Sequence, residues 1–348
     1  PKVIEETFRR RLNENDKLIL DGMESLLEGN LSRFNKCYIV ACGTAYHSGL
    51  VSKEILEKAL RFPVIVDVAS EFRYSERMID DKTLVIIISQ SGETADTLAA
   101  LREAKTKGAT ILSVTNVVGS SIARESDNVF YTWAGPEIAV ASTKGYTTQV
   151  TALYMIALKF GEILGTICSD EIKKIIAGFK ELPSKIELLL KDIEVYKRIA
   201  LELKDKTTCF YLGRGLDYYT AMESALKLKE ISYIYTESFA AGELKHGTIA
   251  LIEDGTPVFV IATQERLYEK IISNVKEVKA RGARVYEITQ LDNNLDVSDE
   301  RILIPGTIEI LMPIISVVAS QLIAYYASLA KDNDVDKPRN LAKSVTVE

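Results

Sequence analysis

One α/β unit occurs twice in this chain, and that duplication fixes most of what the chain can fold into. "CYIVACGTAY", beginning at Cys37, lines up with "CFYLGRGLDY", beginning at Cys209, an offset of 172 residues. "LVIIISQSGETADTL", beginning at Leu84, lines up with "VFVIATQERLYEKII", beginning at Val258, an offset of 174. The helical segments that follow both run into a glycine and a new apolar run, "KTKGATILSVT" and "KARGARVYEIT". Self-similarity at such a spacing marks a repeated structural unit, and 348 residues leave room for each copy to bury a core of its own.

Within a copy, continuous runs of Val, Ile and Leu alternate with helical patterns. "CYIVACG", "VIVDVAS", "TLVIIIS", "ATILSVTN" and "NVFYT" read as strands, with helices over "AYHSGLVSKEILEKAL" and "TADTLAALREAKTKG". Unbroken apolar strands alternating with helices make a parallel sheet covered on both faces, a three-layer α/β/α arrangement. The expected organisation is a helical segment over 1–30, a first subdomain over 31–165, a helical connector over 166–204, a second subdomain over 205–332 and a tail over 333–348. Pro183 is expected to break the helices between the copies.

Composition removes several function classes. A net charge of −6 without a basic block argues against a nucleic-acid surface. Cys37, Cys42, Cys168 and Cys209 show no CxxC spacing, and His47 and His246 lie far apart, so reduced thiols, a cytosolic setting and neither metal nor cofactor are expected. No apolar stretch is expected to approach the roughly 20 residues of a membrane span. The chain opens at Pro1, inside an already charged helical segment, which leads us to expect a piece of a longer protein.

The copies diverge at the turn after the third strand. The first has Ser89, Ser91, Gly92 and Thr94, where the second has Ala262, Thr263, Gln264 and Glu265. A helix starting at the carboxyl end of a parallel strand presents unpaired N–H groups and a positive dipole end, the setting in which proteins hold phosphate. One hydroxyl there would be a helix cap. Several polar side chains within six residues exceed what capping needs, so the first turn is read as an anion site; it is neither a P-loop nor a GxGxxG fingerprint.

A second constellation lies in "AMESALKLKEISYIYTESFAAGELKHG". Glu223, Lys227 and Glu230 share one helix face, and spacing alone reads as an exposed salt-bridged surface. The nearby His246, in a loop before Gly247, shifts the reading toward acid–base chemistry. His47 is expected to pack or cap.

The runs "CGTAYHSG", "SQSGETADT", "AGPEIAVASTK", "LKLKEISYIYTESFAAGELKHG" and "DKPRNLAKSVTVE" resemble the isomerase domains of the glutamine–fructose-6-phosphate amidotransferases, a family built from tandem sugar isomerase (SIS) subdomains. The resemblance covers nearly the whole chain and implies specific roles. Ser89, Gln90, Ser91 and Thr94 would hold the sugar phosphate, and Thr44, in a strand-end loop, would join Val140 and Ser142 near the sugar. Glu230 would move a proton between C1 and C2, Lys227 would stabilise charge on the intermediate, and Glu223 would tune that pair. His246 would open the ring, in the site of a partner subunit, so a homodimer is implied. Lys343 would form an imine with the open-chain ketose.

The implied activity is conversion of fructose 6-phosphate to glucosamine 6-phosphate with ammonia from a glutaminase domain, which nothing in this sequence resembles. Ala45 stands where the family often has serine, a change expected to be tolerated with some loss of binding. Two other readings stay open, a free-standing SIS phosphosugar isomerase or deaminase, and a non-catalytic phosphosugar sensor.

Overall fold

A computed structural model of the chain describes residues 1–292 and 297–347. Residues 293–296, within the expected second subdomain, and Glu348, the end of the expected tail, lie outside the described residues. The chain forms two compact units, one of residues 1–138, 142–180 and 342–348, the other of residues 139–141 and 181–341.

The first unit begins with helices α1 (Lys2–Arg9) and α2 (Glu24–Leu27). There follow β1 (Lys36–Ala41), α3 (Gly43–Leu60), β2 (Val64–Val68), α4 (Ala69–Phe72), β3 (Thr83–Ser89), α5 (Ala95–Thr106), β4 (Thr110–Thr115), α6 (Ser121–Glu125), β5 (Asn128–Tyr131) and α7 (Lys144–Leu164). Its sheet is parallel in the order β2-β1-β3-β4-β5. Every residue of β3 is buried, as expected for a central strand covered on both faces. Tyr38, Val40, Val85, Ile87, Leu101 and Ile111 belong to the core on one of those faces.

Helix α8 (Ser169–Lys191) runs straight through Pro183, correcting the expected break. Ile175, Ile176, Phe179, Leu182, Ile186 and Leu189 are buried at helical spacing on both sides of the proline, and that apolar stripe outweighs the lost N–H. The interruption falls later, between α8 and α9 (Glu194–Leu203).

The second unit continues with β6 (Thr208–Gly213), α10 (Leu216–Ser232), β7 (Tyr235–Ala240), β8 (Pro257–Ile261), α11 (Tyr268–Lys279), β9 (Arg284–Thr289), β10 (Glu300–Leu303) and α12 (Met312–Ala330). Its parallel sheet runs β10-β9-β8-β6-β7, the same topology as the first sheet once its strands are counted from β6. Helix α12 overturns the expectation of no long apolar stretch, since its segment is long and apolar enough, by length and composition, to cross a membrane. Most of it is buried in the unit, where α12 packs on α9 and α10.

In both sheets the strand order reverses beside the first strand, between β1 and β3 and between β6 and β8. At such a switch point the loops leaving the two strands diverge to opposite faces and open a crevice at their carboxyl ends. Each unit therefore has one such crevice.

Candidate functional site

In the first unit the crevice is bounded by the start of α3 and the turn from β3 into α5. Thr44 and Ala45 sit in the first turn of α3, so Thr44 is helical where a loop was expected. Cys42 is its N-cap, and the helix begins at once because Gly43 takes a φ of +54°. After β3, the Ser89 hydroxyl accepts the Gly92 N–H at 3.0 Å and lies 3.2 Å from the Thr94 hydroxyl. Ser91 Oγ accepts the Glu93 N–H at 3.2 Å, and the Glu93 carboxylate accepts the Ser121 N–H at 2.8 Å. Gly92 holds a φ of +68°, and a Cβ there would stand 2.0 Å from Ser120 Oγ. The turn is thus internally tied, with a glycine required at its apex.

Two residues of the C-terminal tail reach this turn, and the residue before them pairs with Glu137. Lys343 Nζ lies 2.6 Å from Glu137 Oε2, Ser344 Oγ is 3.2 Å from Ser91 Oγ, and the Val345 carbonyl accepts the Ala95 N–H at 3.1 Å. That last bond occupies the first amide of α5 with a backbone dipole.

Glu137 is the residue that sequence reasoning missed. Its side chain is 3% exposed, its Oε1 accepts the Thr143 and Gly145 N–H groups at 2.9 and 3.0 Å, and its Oε2 accepts the Ser142 hydroxyl at 2.9 Å. Burial works against its charge, but Lys343 and the two amides outweigh burial and hold the carboxyl below its usual range. A Cβ on Gly145 would stand 2.5 Å from Ser142 Oγ and 3.4 Å from Gln90 Cγ, so Glu137, Ser142 and Gln90 converge on that glycine. A carboxylate a few residues before a helix start is the one local signal that could have revealed it.

In the second unit α10 is buried nearly all round, with Ala221, Ala225, Leu228 and Ile231 packing against α12, β6 and β7. The Thr220 and Ser224 hydroxyls turn back to carbonyls one turn earlier, at 3.1 and 2.8 Å. The face that spacing alone would read as an exposed salt bridge is a buried string of charges. Lys227 Nζ lies 3.4 Å from Glu223 Oε1 and 2.6 Å from Glu230 Oε2, and the three side chains are 2%, 0% and 22% exposed. Burial would drive the proton off Lys227, but Glu223 and then Glu230 outweigh it, and the ammonium is held above its ordinary range. Only Glu230 reaches solvent.

His246 is exposed on a short 3-10 turn, Leu244–His246, whose buried residue is Leu244. Its N–H donates to the Glu243 carbonyl at 3.0 Å. The Val140 N–H donates to the Asp336 carbonyl at 2.9 Å, fixing that segment within the second unit. His47 lies in α3, partly buried, its ring 5.8 Å from that of Tyr46.

The second switch-point crevice is filled from within. Asp217, opposite Ala45 in the repeat, accepts the Thr263 N–H at 2.8 Å and the Thr263 hydroxyl at 2.6 Å, from the turn that corresponds to Ser89 and Gln90. Burial raises the Asp217 carboxyl, and its bonds to Thr263 and Gln264 pull it back only in part. A carboxylate held by the donors that would face a phosphate leaves the second turn no free anion seat.

The SIS domain model matches residues 30–159 and 202–331. Glutamine–fructose-6-phosphate aminotransferase [isomerizing] from Caldanaerobacter subterraneus subsp. tengcongensis is 54% identical over the whole chain, and that from Clostridium tetani 55%. The chain spans about 57% of the length of each. Among solved structures, the C-terminal domain of glucosamine-fructose-6-phosphate aminotransferase from Francisella tularensis superposes with a TM-score of 0.91 at 35% identity, covering 97% of this chain and 95% of that one. A glucosamine-6-phosphate deaminase from Thermotoga maritima shares the fold, with a TM-score of 0.73 at 20% identity over 99% of both chains.

Proposed function

Because the chain belongs to the SIS-domain family, among the C-terminal domains of the glucosamine–fructose-6-phosphate aminotransferases, we propose that it performs their sugar half-reaction, turning fructose 6-phosphate and ammonia into glucosamine 6-phosphate. The observation that carries this reading is the buried string on α10. Two carboxylates and an ammonium cost several kcal/mol to desolvate even when paired, a cost with no return in a protein that only senses a phosphosugar.

The phosphate is seated by Ser89, Gln90, Ser91 and Thr94, and Thr44, Val140 and Ser142 contact the sugar. His246, exposed on its turn, opens the ring in the site of a second copy, so the active form is a dimer. Lys343 adds to the ketose C2 as an imine. Glu230, the one solvent-reaching member of the string, moves the proton between C1 and C2, while Lys227 and Glu223 fix its charge. Ammonia comes from a glutaminase partner.

The test is interconversion of fructose 6-phosphate and glucose 6-phosphate by this chain, beside Glu230→Gln and Lys343→Ala. Turnover in the parent that Glu230→Gln lowers by a factor of about 100 or more is expected for a lost general base. Undiminished turnover in Glu230→Gln would remove the carboxylate from the mechanism, and phosphosugar binding without turnover would favour a sensor.

A further inference from the structure

We propose that Glu137 is the positioning residue for Lys343, its carboxylate fixing the ammonium beside the phosphate turn so that the amine meets the ketose carbonyl already aimed. The inference rests on the reading of Lys343 as the imine-forming lysine and extends it to a residue with no role so far.

Lys343 stands on an exposed tail, and a lysine side chain has four rotatable bonds to order. Its Nζ is held by the 2.6 Å ion pair with Glu137 Oε2. The other end of that pair is rigid. Glu137 is buried and takes four donors, two of them amides at the start of the 21-residue helix α7, so the carboxylate is pinned by the scaffold and stays charged. The neighbouring tail residues reach the phosphate turn through Ser344 to Ser91 and Val345 to Ala95. A phosphosugar held by the turn and an amine held by Glu137 are thereby placed within one rigid frame.

The chemistry balances without a further reactant. The Lys343 ammonium gives up a proton, Nζ forms its bond to C2, and the C2–O bond breaks. The oxygen leaves as water with two hydrogens that were on nitrogen, so ketone and ammonium become iminium and water. Glu137 neither gains nor loses a proton. What it contributes is orientation, and a displacement of about 1 Å at a reacting atom costs on the order of 100-fold in rate.

The experiment is borohydride trapping of fructose 6-phosphate on Lys343, read by peptide mass as a function of pH, with phosphosugar affinity measured alongside. Glu137→Gln keeps an oxygen for the Thr143 and Gly145 amides but loses the charge. We expect its trapping rate at pH 7 to fall by about 10- to 100-fold with affinity changed by less than about 3-fold. Glu137→Asp, which keeps the charge, should recover much of the rate and serves as the second variant if Gln disturbs the α7 start. Equal trapping in parent and Glu137→Gln at every pH would overturn the role of Glu137 and leave Lys343 standing. A parent that traps nothing on Lys343 would overturn both readings.

Discussion

Replacing Lys227 with Met asks what holds α10 in its present form. The ammonium is 2% exposed between Glu223, which is wholly buried, and Glu230. Met matches the length of the stem and packs where the stem packs, so the lesion is electrostatic. It leaves the Glu223 carboxylate buried without its lysine, and removing one partner of a buried ion pair costs about 3–5 kcal/mol. For a unit of this size 1 kcal/mol moves the midpoint by about 2–4 °C, so a drop of about 6–20 °C is expected. Adding Glu223→Gln to Lys227→Met takes away the stranded charge, and the double variant should return to within about 1–2 kcal/mol of the parent, because neutral replacement of a buried pair costs little. Urea denaturation of all four proteins closes the cycle and isolates the pair energy.

The pH dependence gives a second handle on the same residue. The folded-state value of Lys227 lies above the ordinary 10.5, so its contribution is fully present below that pH and is lost only as pH rises through the folded value. The gap between parent and Lys227→Met should therefore be flat from pH 6 to 9 and shrink above about 10.5. A single variant within 1 kcal/mol of the parent, or a double variant as unstable as the sum of its parts, would refute the account of α10 as a coupled string.

Other expectations are local. Gly92→Ala places a Cβ 2.0 Å from Ser120 Oγ and 3.0 Å from Thr115 Oγ1 at a positive φ, so the turn must shift, and fructose 6-phosphate affinity measured by calorimetry should fall at least about 10-fold. His246→Ala removes an exposed ring, so thermal stability should stay within about 0.5 kcal/mol while turnover of the cyclic sugar drops, a pairing checked by calorimetric melting beside the isomerase assay. Asp217→Ala leaves the Thr263 N–H and hydroxyl without their acceptor, costing about 1–3 kcal/mol, and millimolar phosphate should restore the variant's midpoint more than it raises the parent's.

How much of this could be read from the chain follows from where each signal is stored. The central strands announce themselves because burial on both faces demands unbroken apolar runs, as in "TLVIIIS". The edge strands β7 and β10 do not, since "YTESFA" and "ERIL" are only partly buried and carry polar residues that break the run. The polar turn after β3 was legible because its hydroxyls are close together in sequence. Glu137 was not, because its partners are a helix start and a tail lysine 206 residues away, a pairing that only the fold creates. The α10 trio was found by spacing yet misjudged in environment. A charged face looks exposed until the helices that cover it are counted. Pro183 shows the opposite error, a local breaker overruled by an apolar stripe that continues past it.

Under the proposed function, the buried Asp217 sets the binding stoichiometry of the molecule. Two copies of one fold would ordinarily offer two seats for a phosphosugar, and a titration would show two equivalents. Because the second copy carries its own anion in covalent form, the isotherm should saturate at one equivalent per chain. Free phosphate can then compete at a single place. Under the proposed function, duplication separates two tasks that a lone copy would have to combine: the first crevice takes the phosphosugar, and Asp217, on the helix that carries Glu230, occupies the donors of the second.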